Sequence, residues 1–121
     1  MTHGWTGSSV LCSLSDGAVE RFDRPHLRRD FLGGRGYGVA LMAEFGFPAR
    51  PVMEPAQPLI LSAGPLTGTT APSSGRFAAV GLSPLTGTIF DGNAGGRFGV
   101  RLRQAGLDAV VLRGCSPEWS V

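Results

Sequence analysis

The chain has 121 residues, of which 42% are hydrophobic and 17% charged, and a formal net charge of +2. This length predicts one domain, and the small net charge argues against the basic surface that nucleic acid or an anionic membrane would require. All eleven basic residues are arginine, which excludes lysine-dependent chemistry such as a phosphate-loop lysine or a Schiff base.

Glycine and proline are unusually common, with 19 and 9 residues, whereas histidine and cysteine occur twice each. The apolar content argues against disorder. Cys12 and Cys115 lie far apart and no signal peptide is evident, so we expect free thiols in a soluble, cytoplasmic protein, with a disulfide as the minor alternative. No apolar run approaches the roughly 20 residues that cross a bilayer.

The first half of the chain predicts a hairpin, two helices and a loop. In chain order these are strands within residues 8–22, a helix following Asp23, a helix from about Tyr37 to Phe45, and a proline-rich loop over residues 46–58. Asp23 is a candidate N-cap, and the glycine run over residues 33–36 is expected to end the first helix.

The second half predicts three strands and a helix. The strands are Pro58 to Ala63, Arg76 to Leu82 and Leu107 to Leu112, and a short helix is introduced by Asn93-Ala94-Gly95-Gly96. One more strand is expected to start at Glu118. We therefore expect an α+β fold of mixed β-sheets and a few short helices, in which residues 1–121 form the first part of a larger domain.

Arg76 is the only charged residue between Pro55 and Phe90. It is either a solvent-exposed strand end or an anion anchor, since a planar guanidinium binds phosphate through two parallel hydrogen bonds. The sequence leaves both interpretations open.

The region around Arg76 contains a near-repeat. Residues 65–69 (Pro-Leu-Thr-Gly-Thr) recur at 84–88, and each copy leads to Gly-Arg-Phe, at 75–77 and 96–98. This pattern predicts two equivalent strand-ending turns that meet around one site or one pseudo-twofold axis. Two similar turns without a ligand are the alternative.

The glycine pair after Asn93 predicts an anion site at the start of a helix, where free amides and the helix dipole face the ligand. Simple N-capping by Asn93 is the alternative. Arg97, Arg101 and Arg103 follow on the same helix, and we expect them to form a solvated face.

Several long motifs, in this order, closely resemble the N-terminal domain of the tungsten-containing aldehyde ferredoxin oxidoreductases. They are Gly4-Trp5-Thr6-Gly7, Phe31-Leu32-Gly33-Gly34-Arg35-Gly36, Ala63-Gly64-Pro65-Leu66-Thr67-Gly68-Thr69, Gly75-Arg76-Phe77, Ser83-Pro84-Leu85-Thr86-Gly87-Thr88, Asn93-Ala94-Gly95-Gly96 and Ala105-Gly106-Leu107-Asp108-Ala109. The resemblance implies the first part of a duplicated pterin-binding domain.

The resemblance also implies a cofactor site. In the family a bis-pterin tungsten (or molybdenum) cofactor lies on this domain, its metal is held by the pterins, and a magnesium ion joins the two pterin phosphates. Arg76 matches an arginine that contacts the pterin and approaches an iron–sulfur cluster. Asn93 matches the residue whose backbone carbonyl helps to bind the magnesium, Gly95 matches a position that contacts the pterin, and Gly96 completes the cofactor-binding motif.

The family reaction oxidises an aldehyde with water to a carboxylic acid and passes electrons through a 4Fe-4S cluster to ferredoxin. The cluster ligands and acid–base residues lie outside this chain, so we expect no catalytic residue here and no activity of the chain alone. The implied partners are the remainder of the oxidoreductase or a catalytic partner subunit, ferredoxin, and a second copy in a homodimer. We expect neither nucleic acid nor a membrane as a partner.

Two other interpretations remain open. The chain is alternatively a non-catalytic interaction module, or a relic, that pairs with a partner subunit through strand edges without a metal. It is otherwise a general phosphate- or nucleotide-binding module that uses Arg76 and the helix start after Asn93.

Overall fold

The computed structural model describes residues 4–47 and 51–118, and within them it contains six strands and three helices. In chain order they are β1 (Ser9–Ser13), β2 (Val19–Phe22), α1 (Pro25–Phe31), α2 (Gly34–Phe45), β3 (Leu59–Ala63), β4 (Phe77–Leu82), β5 (Ile89–Ala94), α3 (Phe98–Gln104) and β6 (Ala109–Arg113). None of the helices in these two ranges is long and apolar enough to span a membrane.

The strands form one mixed sheet in the order β2-β1-β6-β3-β4-β5. β6 is parallel to β1, and the other neighbouring pairs are antiparallel. β6, the last strand of the described residues, therefore lies in the middle of the sheet, where it joins the N-terminal hairpin to β3. This arrangement confirms the expected α+β fold.

The core lies between α2 and one face of the sheet. The strands contribute Leu11, Ile60, Val80 and Val111, none more than 7% exposed, and they pack against Tyr37, Leu41 and Met42 of α2, which are fully buried. Each such side chain contributes roughly 1.5–3 kcal/mol through burial. The helix approaches closely because Gly38 lacks a side chain: a Cβ there would lie 2.7 Å from Cγ2 of Val80.

The first helix is not capped as the sequence suggested. Its N-cap is Arg24, which makes no side-chain capping bond. Asp23 instead pairs with Arg28 at 2.8 Å, because the buried guanidinium attracts the nearby carboxylate more strongly than a backbone amide does. The glycine run over residues 33–36 also has another role, since α2 begins within it at Gly34.

A short helix does follow Asn93-Ala94-Gly95-Gly96, as predicted, but the alternative in which Asn93 caps it is wrong. Asn93 and Ala94 are the last residues of β5, a strand that pairs with β4. The following helix, α3, has Arg97 as its N-cap. The further strand expected from Glu118 lies almost wholly outside the described residues.

The two copies of the near-repeat lie at opposite ends of the sheet. The first follows β3 and the second follows β4, and these two strands are antiparallel neighbours. The copies are similar turns, since Gly68 and Gly87 both have positive φ, at 77° and 68°. The Gly-Arg-Phe segments do meet, because the rings of Phe77 and Phe98 lie 4.6 Å apart between centroids.

Candidate cofactor site

A cleft of about 340 Å³ opens at the end of the sheet where β3 ends and β4 begins. Its walls are residues 32–34 between α1 and α2, the turn at residues 64–67 after β3, and Ser73, Ser74 and Arg76 before β4. We call it the Arg76 cleft. The wall is apolar apart from a few hydroxyls and one guanidinium, a composition typical of small-molecule sites.

The backbone is strained on both sides of this cleft. Leu32 and Ser73 are the non-glycine residues with positive φ in the described ranges, both at 57°, and both line the cleft. Residues with side chains adopt this conformation at a cost, and such strain is concentrated at functional sites.

Thr67 connects two walls of the cleft through hydrogen bonds of its side chain. Its side chain is 6% exposed, its Oγ1 accepts a hydrogen bond from the amide of Gly64 at 3.0 Å, and it donates one to the carbonyl of Arg76 at 3.0 Å. One buried hydroxyl therefore closes the turn after β3 and holds the backbone at the start of β4. The arginine side chain projects from a fixed point.

The guanidinium of Arg76 is exposed, and within the described residues it makes no hydrogen bond or ion pair. Arg28 and Arg103 differ, because their side chains are about 10% exposed and paired with carboxylates. Arg76 is therefore an exposed cation on a backbone that Thr67 holds in place, and its guanidinium has donors available for an anionic ligand.

The other residues expected at the site lie at the same end of the sheet. In the antiparallel register of β4 and β5, Asn93 is opposite Ala78, and Ala94 is opposite Phe77 in the last pair. If the register is continued by one residue, Arg76 comes opposite Gly95. Residues opposite each other in an antiparallel pair share a face, which places Arg76 and Asn93 on the α2 side. Asn93, Gly95 and Gly96 are exposed and lie at this end of the sheet, but they are not part of the cleft wall.

The glycines beside Arg76 leave the backbone open. A Cβ at Gly95 or Gly96 would meet no atom within 4 Å, and Gly96 has a φ of +90° that favours glycine. Gly75 is tighter, since its Cβ would lie 3.1 Å from the carbonyl oxygen of Gly96. The two loops are therefore in contact, and Gly95 and Gly96 leave open space beside their backbone.

The expectation of a solvated arginine face on α3 is correct for two of the three residues. Arg97 and Arg101 are exposed. Arg103 is instead buried, with its side chain 9% exposed, and it pairs with the fully buried carboxylate of Asp108 and donates to the carbonyl of Gly4. A distant partner, rather than the helix pattern, determines its environment.

Asp108 is the residue near the site that the sequence analysis missed. Its carboxylate accepts hydrogen bonds from the amides of Thr6 and Gly7, both at 3.0 Å. It also pairs with Arg103, and Arg28 lies 3.8 Å away. The sequence does contain a signal for this role: Asp108 is a single charged residue at the start of an apolar strand. A carboxylate is buried in such a place only when it has hydrogen-bond or ion-pair partners.

We call Asp108, Arg103 and Arg28 the Asp108 cluster, and Trp5 packs between this cluster and the cleft wall. The guanidinium of Arg28 lies 5.9 Å from the centre of the Trp5 ring. A Cβ on Gly33 would lie 2.8 Å from Cη2 of Trp5 and 2.9 Å from Cδ of Pro65. Gly33 and Pro65 line the cleft, so this packing couples the buried charges to the shape of the wall.

Comparison with known proteins identifies the family. Residues 10–121 match the family described as aldehyde ferredoxin oxidoreductase, N-terminal domain. The tungsten-containing aldehyde ferredoxin oxidoreductase of Pyrococcus furiosus is 42% identical over 93% of this chain and 19% of that protein. That of Pyrococcus horikoshii is 39% identical over 92% of this chain and 18% of the relative.

A solved structure is also similar. The active-site complex BamBC of benzoyl coenzyme A reductase, determined with 1,5-dienoyl-CoA, matches 98% of this chain and 18% of its own, with 31% identity and a TM-score of 0.91. The chain thus spans about a fifth of the length of the relatives it matches. It belongs to the family of the N-terminal domain of aldehyde ferredoxin oxidoreductase.

Proposed function

We propose that residues 1–121 are the N-terminal, cofactor-binding part of an aldehyde:ferredoxin oxidoreductase. The observation that carries this proposal is the Arg76 cleft, where a guanidinium without a partner among the described residues lines an apolar wall with strained backbone on both sides. The family membership supplies the class of ligand, since the curated relatives are tungsten-containing by name.

The residues present fit a phosphate-bearing pterin. Leu32, Pro65 and Leu66 offer an apolar surface for a flat ring, and Arg76 and the hydroxyls of residues 73 and 74 offer donors for a phosphate. A cleft of about 340 Å³ is near the lower end for ligand pockets. It suits one arm of a bis-pterin cofactor rather than the whole group.

Asn93 is the proposed magnesium contact. It lies on β5, the edge strand of the sheet, and is exposed beside Arg76. Backbone carbonyls are hard oxygen ligands of the kind that magnesium prefers, usually together with phosphate oxygens and water. Within the two described ranges, no group of three or more His, Cys, Asp or Glu side chains comes together. In this proposal, therefore, a backbone carbonyl would bind the magnesium, and the pterins would bind the tungsten or molybdenum.

When bound, the cofactor would supply the two-electron oxidation of an aldehyde and water to a carboxylic acid, with electrons leaving through a 4Fe-4S cluster to ferredoxin. This chain would hold and orient the cofactor. The cleft wall contains one guanidinium but no carboxylate or imidazole, so the chain contributes charge neutralisation and position rather than proton transfer. We therefore propose that it is inactive by itself.

The proposed partners are the remainder of the oxidoreductase, ferredoxin and a second copy in a homodimer. We also propose a cytoplasmic location, which the two free cysteines support. A second candidate function is a metal-free interaction module. The two edge strands favour it, because β2 and β5 each have one side without a neighbour in the sheet.

A chimera tests the proposal. In it, this chain replaces the matching 19% of the Pyrococcus furiosus relative, and the protein is purified without oxygen. We expect tungsten or molybdenum, pterin, and aldehyde-dependent reduction of ferredoxin. A folded chimera without either metal would overturn the cofactor proposal and favour the interaction module.

A further inference from the structure

The face of the sheet opposite α2 carries an apolar row that crosses all six strands. The register places one residue of each strand side by side, and we call these residues the outer row: Val19, Cys12, Leu112, Leu59, Gly81 and Phe90. Neighbouring strands are about 4.8 Å apart, so the row is roughly 24 Å long.

No side chain of the outer row is buried: Val19 is 65% exposed, Phe90 42% and Leu59 40%, and Cys12 and Leu112 are half-buried. On the α2 face, Leu11 and Ile60 are at most 7% exposed. Val10, two residues before Cys12 on the outer face, is also buried, so the open apolar surface is the row itself and not the whole face. Exposed apolar surface that is continuous across a sheet marks a contact with another surface.

Two segments cover part of this face. Helix α3 lies near the start of β4, where its Phe98 packs on Phe77, four register positions from the pair of Gly81 with Phe90. The loop at residues 52–58 lines a cleft of about 300 Å³ together with Leu59, Gly81 and Phe90, so the row is open beside this loop. Within the row, Phe90 folds over Gly81, where a Cβ would lie 2.6 Å from its ring. The ring is therefore held against the sheet and widens the apolar surface.

We propose that the outer row is the surface on which the adjoining polypeptide of a larger oxidoreductase packs, through an apolar face of its own. This inference rests on the proposed function, in which the chain acts as part of such an enzyme. The curated relatives have about four fifths of their length outside the matched region, since the match covers 18% or 19% of each. BamBC retains the same fold as 18% of a much longer chain.

Charge supports an apolar protein partner. The row has no charged member, and the next row on the same face contains a single charge, Arg21, at the edge of the sheet beside Val10. A lipid or nucleic-acid surface requires a basic patch, which this face lacks. Burial of the row against polypeptide would instead gain the hydrophobic energy that α2 gains on the other face.

Labelling of Cys12 tests the surface directly. With Cys115→Ser, Cys12 is the remaining cysteine of the chain, and its reaction with N-ethylmaleimide is followed by peptide mass spectrometry. We expect the rate in the chimera to be at least tenfold lower than in the isolated 121-residue chain. Arg29→Cys, at a position on α1 where the side chain is 77% exposed, is the control, and its rate should change less than twofold.

A charge in the row provides a second test. Val19→Glu should restore labelling of Cys12 in the chimera to within about threefold of the isolated chain, because the carboxylate would oppose burial. Glu20→Lys is the matched control: Glu20 is the next residue of β2 but lies opposite Leu11, on the other face. It should leave the protection intact. Val19 is on an exposed edge strand, so both variants should fold.

The outcomes separate this inference from the proposed function. Metal loading with no protection of Cys12 overturns the docking surface alone. Protection without tungsten or molybdenum overturns the cofactor proposal alone. Protection that is already present in the isolated chain and grows with its concentration assigns the row to a second copy, which also overturns the proposed occupant.

Discussion

The hydroxyl of Thr67 donates a 3.0 Å hydrogen bond to the carbonyl of Arg76. Through this bond the turn after β3 holds the backbone of Arg76, whose guanidinium lines the cleft. Thr86 occupies the same place in the second copy of the motif but is exposed, and its hydroxyl bonds to that of Thr88. The same five-residue sequence therefore supports the site in one copy and closes a surface turn in the other.

Thr67→Val should destabilise the protein by about 1–3 kcal/mol, because it leaves the amide of Gly64 and the carbonyl of Arg76 without their partner. Urea unfolding measures the change. Thr86→Val is the matched control, and it should shift the free energy of unfolding by less than about 0.5 kcal/mol. Equal losses in both variants would contradict the assigned role of Thr67.

Asp108→Asn should lower the free energy of unfolding by about 3 kcal/mol or more, since the buried Arg103 would lose its charged partner. Thermal unfolding checks this. Asp30→Asn breaks an exposed pair with Arg29 and should have little measurable effect. A mild change at Asp108 would mean that the cluster does not hold residues 4–7 in place.

Gly33→Ala should distort the cleft wall, because its Cβ would lie 2.8 Å from the Trp5 ring and its φ is +150°. We expect loss of stability and a change in tryptophan fluorescence. Gly34→Ala is the matched control: its φ is +53° and its Cβ would meet nothing within 4 Å. That variant should lose only about 1 kcal/mol of stability, with unchanged fluorescence. Similar fluorescence changes would contradict the packing described here.

Tyr37 should make the protein less stable at alkaline pH. Burial raises the pKa of its phenol above the ordinary value of 10.0, although the hydrogen bond with Ser9 opposes this. The folded state holds the proton more tightly, so the contribution is fully present below pH 10 and is lost as the pH rises through the folded-state pKa. Tyr37 is the only tyrosine and the chain has no lysine.

Tyr37→Phe should be less stable than the wild type by about 1 kcal/mol at pH 7, where the bond to Ser9 is lost. Above pH 10 the two stabilities should converge, because the phenylalanine variant has no phenol to ionise. Urea unfolding between pH 7 and 11.5 measures this difference. A constant or growing gap would contradict the pKa assignment.

Much of the fold was predictable because its signals are local. The hairpin, α2, β3, β4 and β6 have apolar runs or turn residues that specify them. β5 was missed, since Ile89–Ala94 contains aspartate, glycine and asparagine and does not alternate. An edge strand of this kind forms through its backbone pairing with β4, which no local pattern reveals.

The site was predictable in part for the same reason. Arg76 is noticeable in sequence because no other charge lies near it. The opposite wall of the cleft, residues 32–34, depends on how α1 and α2 pack on the sheet. Arg103 was misassigned because one of its partners, Gly4, is 99 residues away, and helical periodicity carries no information about such contacts.

The metal content of the chimera with Arg76→Ala is the most direct test of the central claim, that this arginine anchors an anionic cofactor. Tungsten and molybdenum are measured by mass spectrometry, with Arg97→Ala, another exposed arginine, as the control. We expect at least a fivefold loss of metal for Arg76→Ala, no loss for Arg97→Ala, and equal yields of folded protein. Full metal occupancy in the Arg76→Ala protein would contradict it.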